Sequence, residues 1–373
     1  MTQKKIKIFF CIPNLSAGGA ERVMVFLAKN LSSELFSVKL IVLGFEKDTV
    51  YSTSGIDVCY LNEEKAQNAF VKIYQLIKEY KPDILFGTLT HINQIVGLLS
   101  YLFPKMVCVT RQTFIISEAK KSVKQQNWFV RTKNEILRKL AHKRIDYTIC
   151  QSNDMKNDML DSGVYDFRKL VVLNNPVSNE IRTKKEISPK KPIKFITVGR
   201  LNKQKGYDRI ITCLSKINVN FTYTIIGDGP RKESLFGLAE NLGVLERINH
   251  IPFSNEVYQH LSEHHIYLQG SLYEGFPNAL LESLGVGTPA IVYEAPGGMN
   301  EIMIDGENGY LVKNDADFVE KLQLLVMELD SFPPSQVSKH VLKNFGSKKI
   351  ISDYENFFTW ITREKKGELP RNI

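Results

Sequence analysis

Four charged side chains in the second half of the chain carry the strongest chemical signal. The stretch "SLYEGFPNALLE", Ser271 to Glu282, sets two carboxylates, Glu274 and Glu282, around the start of an apolar run that reads as a helix. Upstream, "VGRLNKQKG" closes an apolar run with Gly199 and Arg200 and adds Lys205 just before Gly206. Paired carboxylates can act as acid and nucleophile in glycoside hydrolysis. An arginine and a lysine beside bare helix N-termini suit another task, the grip on a diphosphate. Taken singly, a Gly pair after a strand, or Gly-Asp-Gly-Pro at 227–230, is ordinary turn chemistry. Taken together, these loops put two fixed cations and several backbone N–H groups on one rim.

That rim must be built by the elements that precede the loops. Apolar, β-rich runs alternate with amphipathic helical stretches: "KIKIFFCI" precedes "GAERVMVFLAKNLSS", and "AFVKIYQLIKEY" precedes "PDILFGT". Alternation of this kind implies βαβ units and a parallel sheet with helices on both faces. A second series begins at "IKFITVGRL" and runs through "FTYTIIGDG", "HIYLQGS" and "TPAIVYE". In open parallel sheets ligands bind outside the carboxyl ends of the strands, where all of these loops fall. The composition between the two series, rich in Pro, Lys and Asn, predicts a linker over 178–192. It separates an N-terminal domain, 1–177, from a C-terminal domain, 193–345. The last helix, within 346–373, follows a completed sheet and is expected to pack back on the first domain.

The pattern excludes several classes. No GxxxxGK[ST] phosphate loop is present and neither Gly cluster fits GxGxxG, which argues against a P-loop kinase or an NAD enzyme. The longest apolar run, "IVGLLSYLF", is far below the roughly 20 residues that span a bilayer. The basic N terminus runs into a short apolar stretch and then Gly18-Gly19, so it reads as a first strand of an intracellular protein rather than a signal peptide. The five cysteines are scattered without CxxC spacing and read as reduced, buried thiols. His260, Glu263 and His264 spell H-x-x-E-H, a zinc-protease pattern, but no third ligand accompanies them.

In this setting "EGFPNALLE" resembles the E-x7-E signature of retaining glycosyltransferases, the group 1 and family 4 type of bacterial surface-polysaccharide enzymes. "GGAER", "VGRLNKQKG", "GDGPR" and "GTPAIVYEAPGGMNEIMIDGENGYLV" resemble that family in the same order. The resemblance implies an α/β chain of the GT-B fold, with two Rossmann-like domains facing each other across a cleft. It implies that Glu282 grips the donor ribose and that Glu274 sits by the donor sugar. Backbone from Gly275 through Phe276, Asn278, Ala279 and Leu280 would offer N–H groups to sugar and phosphate. Arg200 and Lys205 would neutralise the leaving diphosphate, so no metal or other cofactor is implied. Gly18 and Gly19 fall at the donor side of the first domain, and His91, after "DILFGT", matches a histidine that faces the donor sugar. A departure follows: where relatives carry a histidine after the next strand, this chain has "CVTRQTF", which puts Arg111 or Gln112 there.

The partners implied are a nucleotide sugar, most simply UDP-linked, and a saccharide or lipid-linked saccharide acceptor. A soluble sucrose- or glycogen-type transferase and a non-catalytic nucleotide-sugar-binding protein are the rival readings. Charge adds a further expectation. Residues 120–144 hold nine Lys or Arg against one acid, Glu135, a balance of +8 within a chain of net charge +9. This stretch reads either as a core-packing helix with a solvated basic face or as an anionic membrane surface contact, and the density of charge favours the membrane. It would make the protein cytoplasmic and peripheral at the inner face of the plasma membrane. No nucleic-acid-binding signature accompanies it.

Overall fold

The computed structural model describes residues 4–16, 18–63, 66–118, 139–185 and 192–369. The chain divides into two compact units, one of Met1–Pro176 with Lys348–Ile373, the other of Val177–Ser347.

The first unit is a seven-stranded parallel sheet. Its strands are β1 (Ile6–Ile12), β2 (Phe36–Val42), β3 (Asp57–Tyr60), β4 (Ile84–Thr88), β5 (Val107–Arg111), β6 (Tyr147–Cys150) and β7 (Leu170–Val172), in the order β3-β2-β1-β4-β5-β6-β7. Strands buried on both faces read as continuous apolar runs, as "IKIFFCI" does. Helices Gly19–Asn30 and Thr90–Leu102 each follow a strand. The helix Ser347–Lys365 buries Ile350, Tyr354, Phe357, Phe358 and Ile361, spaced along one stripe at helical period. Phe358 meets the rings of Phe10, Phe36 and Phe86 at centroid separations of 6.2, 6.4 and 5.6 Å. Lys365 pairs with Asp146 at 2.8 Å and fixes the far end of that helix. The C-terminal helix is therefore core of the first unit.

The second unit is a six-stranded parallel sheet of β8 (Ile193–Val198), β9 (Phe221–Ile226), β10 (Ile248–Ile251), β11 (Ile266–Gln269), β12 (Ala290–Tyr293) and β13 (Gly309–Val312). Their order is β10-β9-β8-β11-β12-β13. The described part of the expected linker differs from a free tether. Val177, assigned by the sequence to the end of the first domain, and Ile181 are buried in this unit's core, the Val177 amide donates to the Phe345 carbonyl at 2.8 Å, and Lys184 N–H donates to Val286 O at 2.9 Å. Two apolar side chains among the Pro and Lys residues are enough to anchor the segment. Residues 186–191 lie outside the described residues.

All five cysteines are free, four of them buried. Burial pushes the Cys150 thiol up to about 12, which leaves it unsuited to nucleophilic chemistry.

Candidate active site

Each sheet reverses its strand order once, and in such sheets the crevice outside the strand ends at that reversal is the natural binding place. In the second unit the chain winds from β8 out to β10, returns to β11 and winds the other way. The loops after β8 and β11 therefore flank the reversal. The first carries Gly199, Arg200 and Lys205, the second Ser271, Glu274 and Gly275.

Glycines let these loops touch. Gly206 has φ +58°, and a Cβ there would stand 1.9 Å from the Gly270 carbonyl oxygen. A Cβ on Gly297, at φ +121°, would meet the Glu274 carbonyl oxygen at 2.2 Å. Both positions need a residue with no side chain and a left-handed backbone. Hydrogen bonds close the contact: Leu272 N–H donates to Gln204 O at 2.8 Å and Gln204 Nε2 to Tyr273 O at 2.9 Å.

Lys205 ends a short turn in which Asn202 Oδ1 accepts from its amide at 3.2 Å. Its ammonium lies 2.6 Å from Glu274 Oε1, the lysine side chain 24% exposed and the glutamate 7%. Ser271 Oγ donates to the same oxygen at 2.5 Å. An ion pair so withdrawn from water is held by geometry and extra hydrogen bonds rather than by charge alone. Arg200, two residues after the end of β8, is exposed on the same loop.

Glu282 is buried on the helix Asn278–Gly285. Pro277 caps this helix and Phe276 and Leu280 turn into the core, Phe276 with its ring 5.8 Å from Phe345. Anchoring those side chains presents the first turn through its backbone. The amides of Ala279 and Leu280 have no carbonyl four residues back within the helix, as at every helix start. Asn278 N–H is turned to Phe276 O at 2.9 Å.

The first unit has its own reversal, between β1 and β4. Gly18 and Gly19 follow β1; His91 follows β4. The Tyr51 hydroxyl accepts from the Gly18 amide at 2.9 Å and donates to the Gly18 carbonyl at 2.8 Å, which fixes that peptide. Leu89, at the N-cap of the helix that carries His91, has φ +72°, a strained value for a branched side chain. The His91 side chain is exposed, yet the protein around its ring withdraws enough water to lower its pKa from the ordinary histidine value.

Arg111 stands apart from the expectation of a donor contact. Ending β5, it is fully buried, and its guanidinium donates to Asn175 Oδ1. Asn175 Nδ2 in turn donates to Gln151 Oε1 at 2.9 Å, and Gln151 Nε2 to Gln112 O at 2.6 Å. Arg111 thus organises the interior of the first unit, with no surface exposed in this arrangement.

The H-x-x-E-H pattern dissolves in three dimensions. His264 Nδ1 meets His260 O at 2.5 Å and Nε2 meets Thr224 Oγ1 at 2.8 Å, so both ring nitrogens are engaged. Among the described residues no group of three or more His, Cys, Asp or Glu is placed to hold a metal ion. No helix among them is long and apolar enough to cross a membrane. The basic stretch lies outside the described residues at 120–138; only 139–144 is described.

Sequence reasoning overlooked Tyr51, Ser271, Asn175 and Arg209. Arg209 donates to the carbonyls of Gly270 and Ser271 at 2.6 and 2.5 Å and stacks 3.6 Å from the Tyr293 ring centroid. It anchors the start of the Glu274 loop. Only Ser271, inside the motif stretch itself, carried a local signal.

Two family profiles match in chain order. Glycosyltransferase Family 4 covers residues 17–180 and Glycosyl transferases group 1 covers residues 178–330. The chain belongs to the glycosyltransferases. An uncharacterized glycosyltransferase of Haemophilus influenzae is 24% identical to it over 361 residues, 94% of this chain and 99% of the relative. A Campylobacter jejuni N-acetylgalactosamine-N,N'-diacetylbacillosaminyl-diphospho-undecaprenol 4-alpha-N-acetylgalactosaminyltransferase is 26% identical over 325 residues, 84% of this chain and 87% of the relative. Among solved structures, Anabaena HepE in complex with UDP-glucose matches with TM-score 0.80 at 17% identity, over 95% of this glycosyltransferase and 100% of HepE. The lipopolysaccharide outer core galactosyltransferase WaaB, apo form, matches with TM-score 0.76 at 20% identity, over 95% and 99%. Two Rossmann-like parallel-sheet units make this glycosyltransferase a GT-B fold.

Proposed function

We propose that this glycosyltransferase moves a sugar from a UDP-linked donor to a lipid-linked saccharide, with retention of anomeric configuration and without a metal ion. The observation that carries the reading is the Lys205–Glu274 pair, 2.6 Å long, at the strand-order reversal of the second unit. A cation and a carboxylate held together there supply the two things the departure of a nucleoside diphosphate needs. Lys205 and the exposed Arg200 stabilise charge on the leaving diphosphate, the kind of electrostatic help that dominates such reactions. Glu274, beside the sugar, orients its hydroxyls and supports positive charge at the anomeric carbon. Glu282 holds the ribose, and the amides of Gly275, Phe276, Ala279 and Leu280 meet sugar and phosphate.

With two cations on the diphosphate, no divalent ion is required. The leaving phosphate oxygen then takes the acceptor's proton, which permits attack on the face it vacates. The Campylobacter relative supports the acceptor class, since its name specifies a diphospho-undecaprenol saccharide and an α linkage. The HepE complex supports a UDP-sugar donor. Such an acceptor belongs to a membrane surface, which fits residues 120–144 as a basic contact with anionic lipid at the cytoplasmic side.

The test is release of UDP from UDP-sugars with a diphospho-polyprenyl saccharide, with and without EDTA, and NMR of the product's anomeric coupling. An inverted product sinks the retaining mechanism. Activity that disappears with EDTA and returns with a divalent ion sinks the two-cation account.

A further inference from the structure

The backbone just ahead of Glu274 leaves the sheet after Gln269, where β11 ends, and its freed polar groups need new partners. Arg209 supplies two of them. Its Nε donates to Gly270 O at 2.6 Å and its Nη2 to Ser271 O at 2.5 Å. These carbonyls belong to consecutive peptides, so one planar guanidinium sets the orientation of each relative to the other. Gly206 makes room for this grip, since a Cβ there would stand 3.1 Å from Arg209 Nε. From Ser271 the constraint passes directly to the carboxylate, because Ser271 Oγ donates to Glu274 Oε1 at 2.5 Å. At the other end of the loop, Glu274 N–H donates to Pro296 O at 2.9 Å.

Arg209 is itself held in place. It lies in the first turn of the helix Tyr207–Leu214, and its guanidinium carbon sits 3.6 Å from the centroid of the Tyr293 ring. Tyr293 ends β12 and is buried. Its hydroxyl donates to Asp315 Oδ1 at 2.7 Å, and Phe318 stacks with its ring at 5.1 Å and 19° between planes. Asp315 and Phe318 belong to one helix, Asp315–Met327, whose start is capped by Asn314 Oδ1 accepting from the Asp317 amide at 3.0 Å. A continuous path therefore runs from a capped helix through Tyr293 and Arg209 to the peptides ahead of Glu274, all within the second unit.

We propose that Arg209 is a positioning residue for the transfer reaction, acting through the Glu274 loop rather than on the substrate to fix where the Glu274 carboxylate and its partner Lys205 stand. The inference rests on the donor-side reading of Glu274 given above. A carboxylate that supports charge at an anomeric carbon must be closely placed, and an error of about 1 Å costs about a hundredfold in rate. A loop that has left its ladder lacks that precision by itself. A fork on two successive carbonyls restores it. Lysine cannot replace the fork, because an ammonium is a point donor on a flexible stem and does not lie flat on a ring.

The test measures UDP release, UDP titration and amide hydrogen exchange on the full chain, in wild type, Arg209→Lys and Arg209→Met. UDP-glucose, UDP-galactose and their N-acetylamino forms are the donors, with a diphospho-polyprenyl saccharide as acceptor. Urea unfolding confirms that each variant is assayed folded. The expected result is a kcat lowered about tenfold by Arg209→Lys and about a hundredfold by Arg209→Met, with UDP affinity at the wild-type value. Exchange across residues 270–276 should quicken in both variants, a readout that needs no substrate. Arg247→Lys is the control. Arg247 also lies over a ring, that of Phe221 at 5.0 Å, but it adjoins the amino ends of β9 and β10, and its replacement should leave kcat unchanged. In a Glu274→Ala background the Arg209 variants should lower kcat little further, since one residue acts through the other, whereas an arginine that only stabilised the fold would multiply the two losses. Wild-type kcat in both Arg209 variants beside an impaired Glu274→Ala overturns this inference alone, as do fully multiplied losses or unchanged exchange across the loop. Full activity in Glu274→Ala overturns the donor-side reading and takes this inference with it.

Discussion

Lys205 Nζ and Glu274 Oε1, separated by 69 residues of chain, meet at 2.6 Å beside the strand-order reversal of the second sheet. The pair ties the loop after β8 to the loop after β11, and in the proposed function each partner has a separate task toward a donor. Lys205→Ala and Arg200→Ala are each expected to lower kcat by about a hundredfold, the scale of losing one group that stabilises a departing oxyanion. Glu274→Ala should lower turnover chiefly, while Glu282→Ala should weaken UDP binding by about 1.5–3 kcal/mol. Because Lys205 and Glu274 are in contact, the double variant should cost less than the sum of the single ones. Steady-state UDP release and UDP titration check all four. Full activity in Glu274→Ala and Glu282→Ala would falsify the donor-site assignment.

The close approach of the loops makes a second expectation. Gly206→Ala places a Cβ 1.9 Å from the Gly270 oxygen at φ +58°. Gly243 has a similar φ of +69° with nothing within 4 Å, so Gly243→Ala isolates the backbone term. Left-handed strain alone costs of order 1–3 kcal/mol. Gly206→Ala should lose clearly more stability than Gly243→Ala in urea unfolding, and only Gly206→Ala should lose UDP affinity. Equal losses would mean that contact between the two loops does not shape the site.

The fold was legible because its central strands are buried on both faces and its helices are not. "KIKIFFCI" and "GAERVMVFLAKN" differ in period, and the alternation of such runs implies a parallel sheet before any contact is known. The loops that carry Lys205 and Glu274 stand out in the sequence only through motif resemblance, since nothing local to Lys205 announces Glu274. What the sequence hid are contacts that span distance without pattern. Tyr51 reaches Gly18 across 33 residues, and Arg111 finds Asn175 across 64. A lone tyrosine and a lone asparagine carry no periodic signal. Ile181 was hidden too, by the Pro and Lys residues that made 178–192 look like a tether, and Val177, at the end of the expected first domain, packs in the second unit's core.

Two buried bases in the second unit give its stability a pH dependence. Burial lowers His264 from 6.5 to about 4 and Lys184 from 10.5 to about 7. Lys184 Nζ donates to His264 O and Thr288 Oγ1, both at 2.7 Å, so the two bases share one neighbourhood. A base with a depressed folded value binds its proton more readily when unfolded, so stability rises with pH between the two values. His264 therefore withdraws stability as pH falls from 6.5 to about 4, by at most about 3 kcal/mol. Lys184 does the same between 10.5 and about 7. His264→Gln should flatten the acid limb of a urea-unfolding series, and Lys184→Met the alkaline one. Slopes identical to wild type in both variants would show that neither group titrates on unfolding.

Arg111 is expected to matter to the first unit's stability more than to donor binding. Removing its partner leaves a buried guanidinium short of an acceptor, which costs about 1–3 kcal/mol or more for a charged group. Asn175→Leu should therefore destabilise the first unit while the KM for the donor stays near wild type. A raised donor KM with unchanged stability would return Arg111 to the donor site.

The helix Ser347–Lys365 supplies Phe358 to a cluster of Phe10, Phe36 and Phe86 in the first unit. Phe358 is fully buried, and phenylalanine-to-alanine changes at such sites cost about 3–5 kcal/mol through lost transfer energy and a residual cavity. Phe358→Ala should lower the stability of the first unit by that amount. Truncation after Gly346 removes Ile350, Tyr354, Phe357, Phe358 and Ile361 together and opens one face of the sheet. Limited proteolysis of the truncated chain should then degrade residues 1–176 first and leave a fragment that begins near Val177, because the second unit keeps its own core. The opposite order of cleavage, with the first unit surviving, would mean that the C-terminal helix covers a sheet already stable without it.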